Sequence, residues 1–354
     1  MSSALAKALL PWFRAKGRRL PWRGVSDPYA VWISEIMLQQ TRVETVLSYY
    51  TRWMARFPTI RSVAAAPLHQ VLRLWEGLGY YRRAVNLHRA AKVIQQEHGG
   101  RLPESLEQLR RLPGVGRYTA AAIASLAFGQ DQVALDGNLR RVLARYYDLE
   151  FDPRSPEGEH WLLAKARRAQ PPGESAAFNQ GLMDLAASVC TPRKPACAAC
   201  PLRSGCLAFR RGVQAERPVR RPRRPMPQRR AVAAVVLRED AALLVRRDSG
   251  GLLGNLWGFP ESELRSGETG RAAVRRAIKE LLGVPVRVGR ALPAHEHRYT
   301  HFEVTREAYV CRLAGEVPRR PGLRWVRRQA LSRYPMGKLD RTLARRWAES
   351  GGSA

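Results

Sequence analysis

The stretch CTPRKPACAACPLRSGC, from Cys190 to Cys206, holds four of the chain's five cysteines, with six, two and five residues between them. Four thiolates on one short loop can wrap a single ion or cluster, an arrangement that neither a dispersed disulfide framework nor a lone catalytic thiol needs. The loop therefore reads as a metal site with Cys190, Cys197, Cys200 and Cys206 as ligands. An all-thiolate zinc site usually takes two C-x2-C pairs, and only Cys197 and Cys200 form one here. The wider gaps suit a bulkier [4Fe-4S] cube, with zinc the alternative that spacing leaves open.

Outward from this loop the chain of 354 residues divides in two, as 45% hydrophobic content over this length allows. Residues 1–212 read as an all-α domain. Asp27 followed by Pro28 is a helix start, and Val31, Trp32, Ile36, Met37 and Leu38 then keep a helical period. Further helices fit 43–56, 67–76, 82–98, 104–111, 117–128, 137–146, 156–169 and 175–189. Residues 213–229 belong to an arginine- and proline-rich segment without apolar periodicity, which reads as an extended linker. Residues 230–354 carry strand-like runs at 231–237 and 243–247 and a glycine-rich turn to Trp257. A helix near 268–282 and strands near 284–289, 301–312 and 323–327 follow, which indicates a small α+β domain with one helix.

The formal charge of +31 calls for a polyanionic partner, because so basic a surface binds phosphate backbones through counterion release. Only seven of the 61 basic residues are lysine, so a general bias toward arginine contributes as well. The N-terminal apolar run is too short, and too soon broken by Pro11, for a signal peptide, and no stretch of eighteen apolar residues occurs. The expectation is a protein of the reducing cytoplasm, associated with a bacterial nucleoid and with no membrane partner.

The cysteine loop resembles the one that closes the catalytic domain of DNA glycosylases of the endonuclease III and MutY type, where a [4Fe-4S] cluster is structural and lies near DNA. Leu112-Pro113-Gly114-Val115-Gly116 sits between two helical stretches, and two glycines at a helix N-terminus let backbone N–H groups approach a phosphate. An ordinary interhelical turn reads the same way. In context it resembles the helix-hairpin-helix of that superfamily, which implies DNA contact at Gly114 and Gly116. The superfamily has a catalytic aspartate about twenty residues later, and Asp136 is in that place. By itself Asp136 is a good N-cap for the next helix, a role compatible with facing a sugar from the helix mouth.

Glu35 has Val31, Trp32 and Leu38 as helical neighbours. A carboxyl on an apolar face has its charged form disfavoured and becomes a candidate general acid near neutral pH. Pattern alone also allows a surface glutamate at the helix edge. The string WISEIMLQQT, ending in Gln40 and Thr41, closely resembles the MutY-type adenine glycosylases. Lyase-active relatives carry a lysine just after the hairpin; Tyr118 stands there instead, which implies a monofunctional glycosylase without a Schiff-base nucleophile. The resemblance further implies that Leu78 and Tyr80, in Gly77-Leu78-Gly79-Tyr80-Tyr81, wedge into the base stack together with Gln40, that Thr41 lies in the same DNA contact, that Gln180 reads the flipped base, and that Asn138 orients the Asp136 region.

The second domain resembles a Nudix fold through Leu256-Trp257-Gly258-Phe259-Pro260 and through Glu268, Arg276, Glu280 and Gly283. Ala277 and Leu281 stand where the pyrophosphatase box has two of its three carboxylates, which removes most of the charge that would hold magnesium. The resemblance implies a domain that recognises 8-oxoguanine through Tyr299, Thr300 and His301. The resemblance, which covers essentially the whole chain, implies a monomeric enzyme of base excision repair that cuts adenine from A:8-oxoguanine or A:G pairs in double-stranded DNA. Two rivals stand beside it. A bifunctional thymine-glycol-type glycosylase would want lysine at position 118 and would lack the Nudix-like domain, whereas a non-enzymatic DNA-binding iron–sulfur module would need neither Glu35 nor Asp136.

Overall fold

The computed structural model describes residues 3–25, 27–219, 225–317 and 321–349. The chain forms two compact units, Met1–Ala65 with Asn86–Arg223 and Ala66–Val85 with Arg224–Ala354. Residues 66–85, expected with the helical domain, thus group with the C-terminal residues. Part of the expected linker, 220–224, lies outside the described residues.

The helical run comprises α1 (Ala4–Lys16), α2 (Pro28–Leu38), α3 (Val43–Arg56), α4 (Ile60–Ala65), α5 (Leu68–Trp75), α6 (Arg82–Glu97), α7 (Leu106–Arg111), α8 (Arg117–Phe128), α9 (Gly137–Tyr146), α10 (Pro156–Ala169), α11 (Ser175–Ser188) and the short α12 (Leu207–Arg210). α5 and the start of α6 fall in the second unit. Asp27 caps α2 by accepting from the backbone N–H of Tyr29, with Pro28 in the first turn. Helix α1 was not singled out from the sequence. Its Leu5 and Leu9 are buried in one core with Leu139, Leu143, Phe178, Leu182 and Leu185 of α9 and α11. A Cβ at Gly181 of α11 would lie 3.2 Å from Leu9 Cγ, so glycine there permits the close approach of α1 and α11.

The second unit is built on a sheet of seven strands. Its main path is β3 (Trp257–Gly258), β2 (Ala241–Arg246), β1 (Gln228–Arg238), β6 (Glu303–Leu313) and β5 (Val286–Arg298), with β4 (Glu261–Glu263) paired to β1 and β7 (Leu323–Arg327) to β2. β1 and β6 are parallel, and the other pairs are antiparallel. Among the described residues two helices cover the sheet, not the one expected. On one face Val232, Ala234 and Val236 pack with Ala273, Val274 and Ile278 of α13 (Gly270–Leu282). On the other, Ala233 and Val235 pack with Leu343, Ala344 and Trp347 of α14 (Lys338–Glu349). Burial on both faces explains why β1 reads as a continuous apolar run. Strand β5 runs on to Arg298, well past residue 289, because two irregularities in its register carry the ladder through Gly289 and Pro293.

Candidate active site

Helix α2 is buried from Tyr29 through Met37, so its one carboxylate has no aqueous side. Glu35 is 4% exposed in a run where Val31, Trp32, Ile33, Ile36 and Met37 are each buried. Burial pushes its carboxyl up to about 7; the hydrogen bond from Tyr118 and the Arg23 guanidinium oppose this, and the Asp136 charge adds to it. The Tyr118 hydroxyl donates to Glu35 Oε2 at 3.0 Å. Burial raises the phenol's own pKa well above its usual value, and the carboxyl beside it adds to that, so Tyr118 keeps its proton and remains a donor.

Asp136 is the N-cap of α9. Its Oδ1 accepts from the backbone N–H groups of Asn138 and Leu139 at 2.8 Å each, and its Oδ2 accepts from Asn138 Nδ2 at 2.8 Å. These bonds lower its pKa, but burial outweighs them and leaves the carboxyl above its ordinary range. Cap and candidate catalytic group are therefore one side chain, fixed at the positive end of a helix.

The same helix reaches the cysteine loop. Arg141, buried one and a half turns beyond the cap, donates from Nε to the Cys190 carbonyl at 2.9 Å and from Nη2 to the Ala186 carbonyl at 2.9 Å and to Asn138 Oδ1 at 3.2 Å. One guanidinium thus joins the loop to the residue that holds Asp136. A turn later Arg145 donates to Cys190 Sγ at 3.3 Å and to the Thr191 carbonyl at 2.7 Å. The four cysteines form no disulfide and line one cavity, together with Val142, Arg145, Leu185 and Leu202. Burial and the neighbouring thiols push Cys200 up to about 11. Four sulfurs turned inward against a buried arginine fit a cationic iron cluster, which favours the thiolate form.

The hairpin turns at Gly114 (φ +80°), where a Cβ would come within 2.8 Å of Asn86 Cβ, so this position requires glycine. Gly116 caps α8 with open space around it. Gln40 is exposed in a left-handed conformation (φ +57°), and Thr41 beside it donates to the Gln39 carbonyl at 3.4 Å. Gln180 is half-buried on α11. Its neighbour Asn179, fully buried, donates to Ser125 Oγ and to the Gln132 carbonyl and accepts from the Ala134 N–H, which ties α11 to the approach to Asp136.

In the second unit, Tyr80 and Leu78 differ. Tyr80 is 45% exposed and Leu78 only 5%. The Tyr80 hydroxyl lies 3.0 Å from Thr300 Oγ1, which brings two expected DNA contacts together. Tyr299 is an anchor, not a free stacking face. Its ring packs against His297 and Phe302 at 4.6 and 5.0 Å, and its backbone N–H closes a turn onto the Phe302 carbonyl. Thr300 and His301 form the exposed tip. In the degenerate Nudix segment Arg276 binds Glu268 through Nε and Nη2 at 2.9 and 2.8 Å, while Ala277 is buried and Leu281 packs on the α13 core. The remaining acidic groups serve an ion pair.

Residues 33–163 match the family described as HhH-GPD superfamily base excision DNA repair protein, 190–206 the iron-sulfur binding domain of endonuclease III, and 231–346 the NUDIX domain. The chain is 35% identical to the adenine DNA glycosylase of Homo sapiens over 384 residues, covering 92% of this chain and 70% of that one. It is 36% identical to the adenine DNA glycosylase of Rattus norvegicus over 381 residues, covering 92% and 74%. The chain belongs to the adenine DNA glycosylase family. Among solved structures, a thermostable thymine-DNA glycosylase is 31% identical, with a TM-score of 0.55, over 58% of this chain and 95% of that one.

For this family member the cysteine loop holds a [4Fe-4S] cluster, as the spacing led one to expect. The purified protein should be brown, with broad visible absorption; colourless protein with one zinc per chain would refute the assignment. Among the described residues no helix is long and apolar enough to cross a membrane. Arg141 and Arg145 had no sequence signal of their own, since an arginine in a helix ordinarily reads as a solvated charge.

Proposed function

We propose that this member of the family excises adenine opposite 8-oxoguanine, and opposite guanine, from duplex DNA as a cytoplasmic, nucleoid-associated monomer, leaving free adenine and an abasic site. The observation that carries the reading is Glu35: a buried carboxyl whose pKa lies near 7 is substantially protonated at working pH. The adenine is flipped out of the stack to reach it. Glu35 donates its proton to N7 of adenine, so the base leaves neutral. Asp136 stabilises or captures the oxocarbenium-like sugar, as in retaining glycoside hydrolysis, and Glu35 then activates water. Asn138 holds Asp136 in place, Gln180 contacts the flipped base, and Gly114 and Gly116 receive a phosphate. In the second unit the exposed Tyr80 wedges the base stack, and Thr300 and His301 meet the oxidised guanine; in the first, Gln40 and Thr41 contact DNA. The chain divides functionally into the glycosylase domain 1–212, the linker 213–229 and the recognition domain 230–354.

A duplex carrying one A:8-oxoguanine pair tests this. Strand cleavage at the adenine should require alkali, and borohydride should trap no covalent complex with abasic DNA, because Tyr118 offers no amine. Cleavage without alkali, or strong trapping, would mean a lyase; intact adenine would leave a non-enzymatic DNA-binding module.

A further inference from the structure

The loop that carries Tyr80 is fastened at its base as well as at its tip. Gly77, Gly79 and Tyr80 all have positive φ (97°, 77° and 48°), a conformation that a tyrosine adopts only when its surroundings hold it. Within the loop, Arg83 stacks its guanidinium over the rings of Trp75 and Tyr80 at 5.2 and 5.4 Å and donates to the Gly79 carbonyl at 3.2 Å, which also accepts from Trp75 Nε1 at 3.0 Å. The base of the loop is Glu76, the C-cap of α5. Its carboxylate takes the forked guanidinium of Arg341 on α14, Nε to Oε1 and Nη2 to Oε2, the latter at 3.0 Å, and also accepts from the Met336 N–H at 3.3 Å. The Met336 carbonyl accepts in turn from the Tyr81 hydroxyl at 3.1 Å. Arg341 is itself fixed, donating to the carbonyls of Leu331 and Tyr334. With side-chain exposures of 20% and 15%, Glu76 and Arg341 form a largely desolvated bidentate pair, the kind with geometric specificity, not a loose surface contact. At the other end of the loop the Tyr80 hydroxyl meets Thr300 Oγ1.

We propose that Glu76 and Arg341 are positioning residues that hold the Tyr80 loop in register with the Tyr299–His301 turn, so that the base opposite the target adenine is read by the two together. The inference rests on the proposed reading of Tyr80 as wedge and of the 299–301 turn as reader of 8-oxoguanine. A bound oxidised guanine then stabilises one arrangement of both loops, and removing the ion pair lets the wedge fluctuate independently of the reader.

The test uses the full chain with its cluster, as wild type, Glu76→Gln, Arg341→Gln and the charge exchange Glu76→Arg with Arg341→Glu. Single-turnover adenine release is measured on A:8-oxoguanine and A:G duplexes, and 2-aminopurine beside the mispair reports stacking. Each single substitution should lower the ratio of the two rates by about tenfold, within the usual range of coupling between sites, with the A:G rate little changed. The exchange should restore part of the ratio, and the 2-aminopurine signal on the 8-oxoguanine duplex should fall with the ratio. Equal slowing on both duplexes would show a plain structural strut and overturn the proposal, as would an unchanged ratio. A wild-type chain without preference would instead sink the reading of the 299–301 turn.

Discussion

Glu35→Gln should lower single-turnover adenine release by roughly 10²–10⁴-fold while duplex binding stays near the wild-type level. The side chain is buried beside the Tyr118 hydroxyl, and an amide of the same volume can still accept that hydrogen bond, so the fold has little reason to change. What the variant loses is the transferable proton. The pH dependence carries the same sign. Because the Glu35 carboxyl is raised to about 7, the competent protonated form predominates below that pH, and the rate should fall as pH rises through 7. The same raised pKa costs folding stability as pH rises from about 4.5 to about 7, the window in which the unfolded chain has already lost the proton that the native state still holds. Asp136→Asn should be comparably inactive for a different reason. Its amide oxygen can still cap α9, but the anion that the proposed reaction sets against the sugar is gone, and its nitrogen meets the Asn138 Nδ2 donor now held by Oδ2. Retention of wild-type turnover by either variant would remove the proposed chemistry.

The parts of the site that were legible in the sequence are those whose chemistry is local. Cysteine spacing, the Gly114–Gly116 turn and the N-cap at Asp136 each depend on a few consecutive residues, and Glu35 stood out because a carboxylate interrupts the apolar string from Val31 to Leu38. The long helices from α2 to α11 and the strand at Leu323–Arg327 were readable from periodicity and turn residues. What was missed depends on distant partners. Helix α14 buries Leu339, Leu343, Ala344 and Trp347, but the charged Asp340 is buried among them and arginines lie between, so only the sheet beneath shows that the face is buried. The two-residue β3 and three-residue β4 lie below the length at which alternation can be seen. Nothing local indicates that His297 and Phe302 pack against the ring of Tyr299. Leu78 and Tyr80 alternate in a glycine loop, and sequence could not tell that one turns inward and the other outward.

Arg141 gives the second large effect, because it is a single buried group serving three acceptors that belong to two different parts of the site. Arg141→Met keeps much of the aliphatic stem but removes the donor of the Cys190 carbonyl, the Asn138 amide oxygen and the Ala186 carbonyl, at about 1–3 kcal/mol for the buried Ala186 bond left unmade. Freed from Arg141, Asn138 no longer holds Asp136 Oδ2 in one orientation. Adenine release should therefore drop by about 10–100-fold, the usual consequence of removing an outer-shell support. Arg141→Lys should not rescue it, since one ammonium cannot reproduce a planar fork that reaches three acceptors. Arg145→Met provides the contrast. It removes the bonds to Cys190 Sγ and the Thr191 carbonyl but has no bond to Asn138, so it should loosen the cluster loop and speed bleaching of the visible absorption while the remaining brown fraction turns over near normally. If the two variants lost turnover only in proportion to lost absorption, Arg141 would merely hold the loop. Lower turnover per intact cluster for Arg141→Met alone is the outcome the geometry requires.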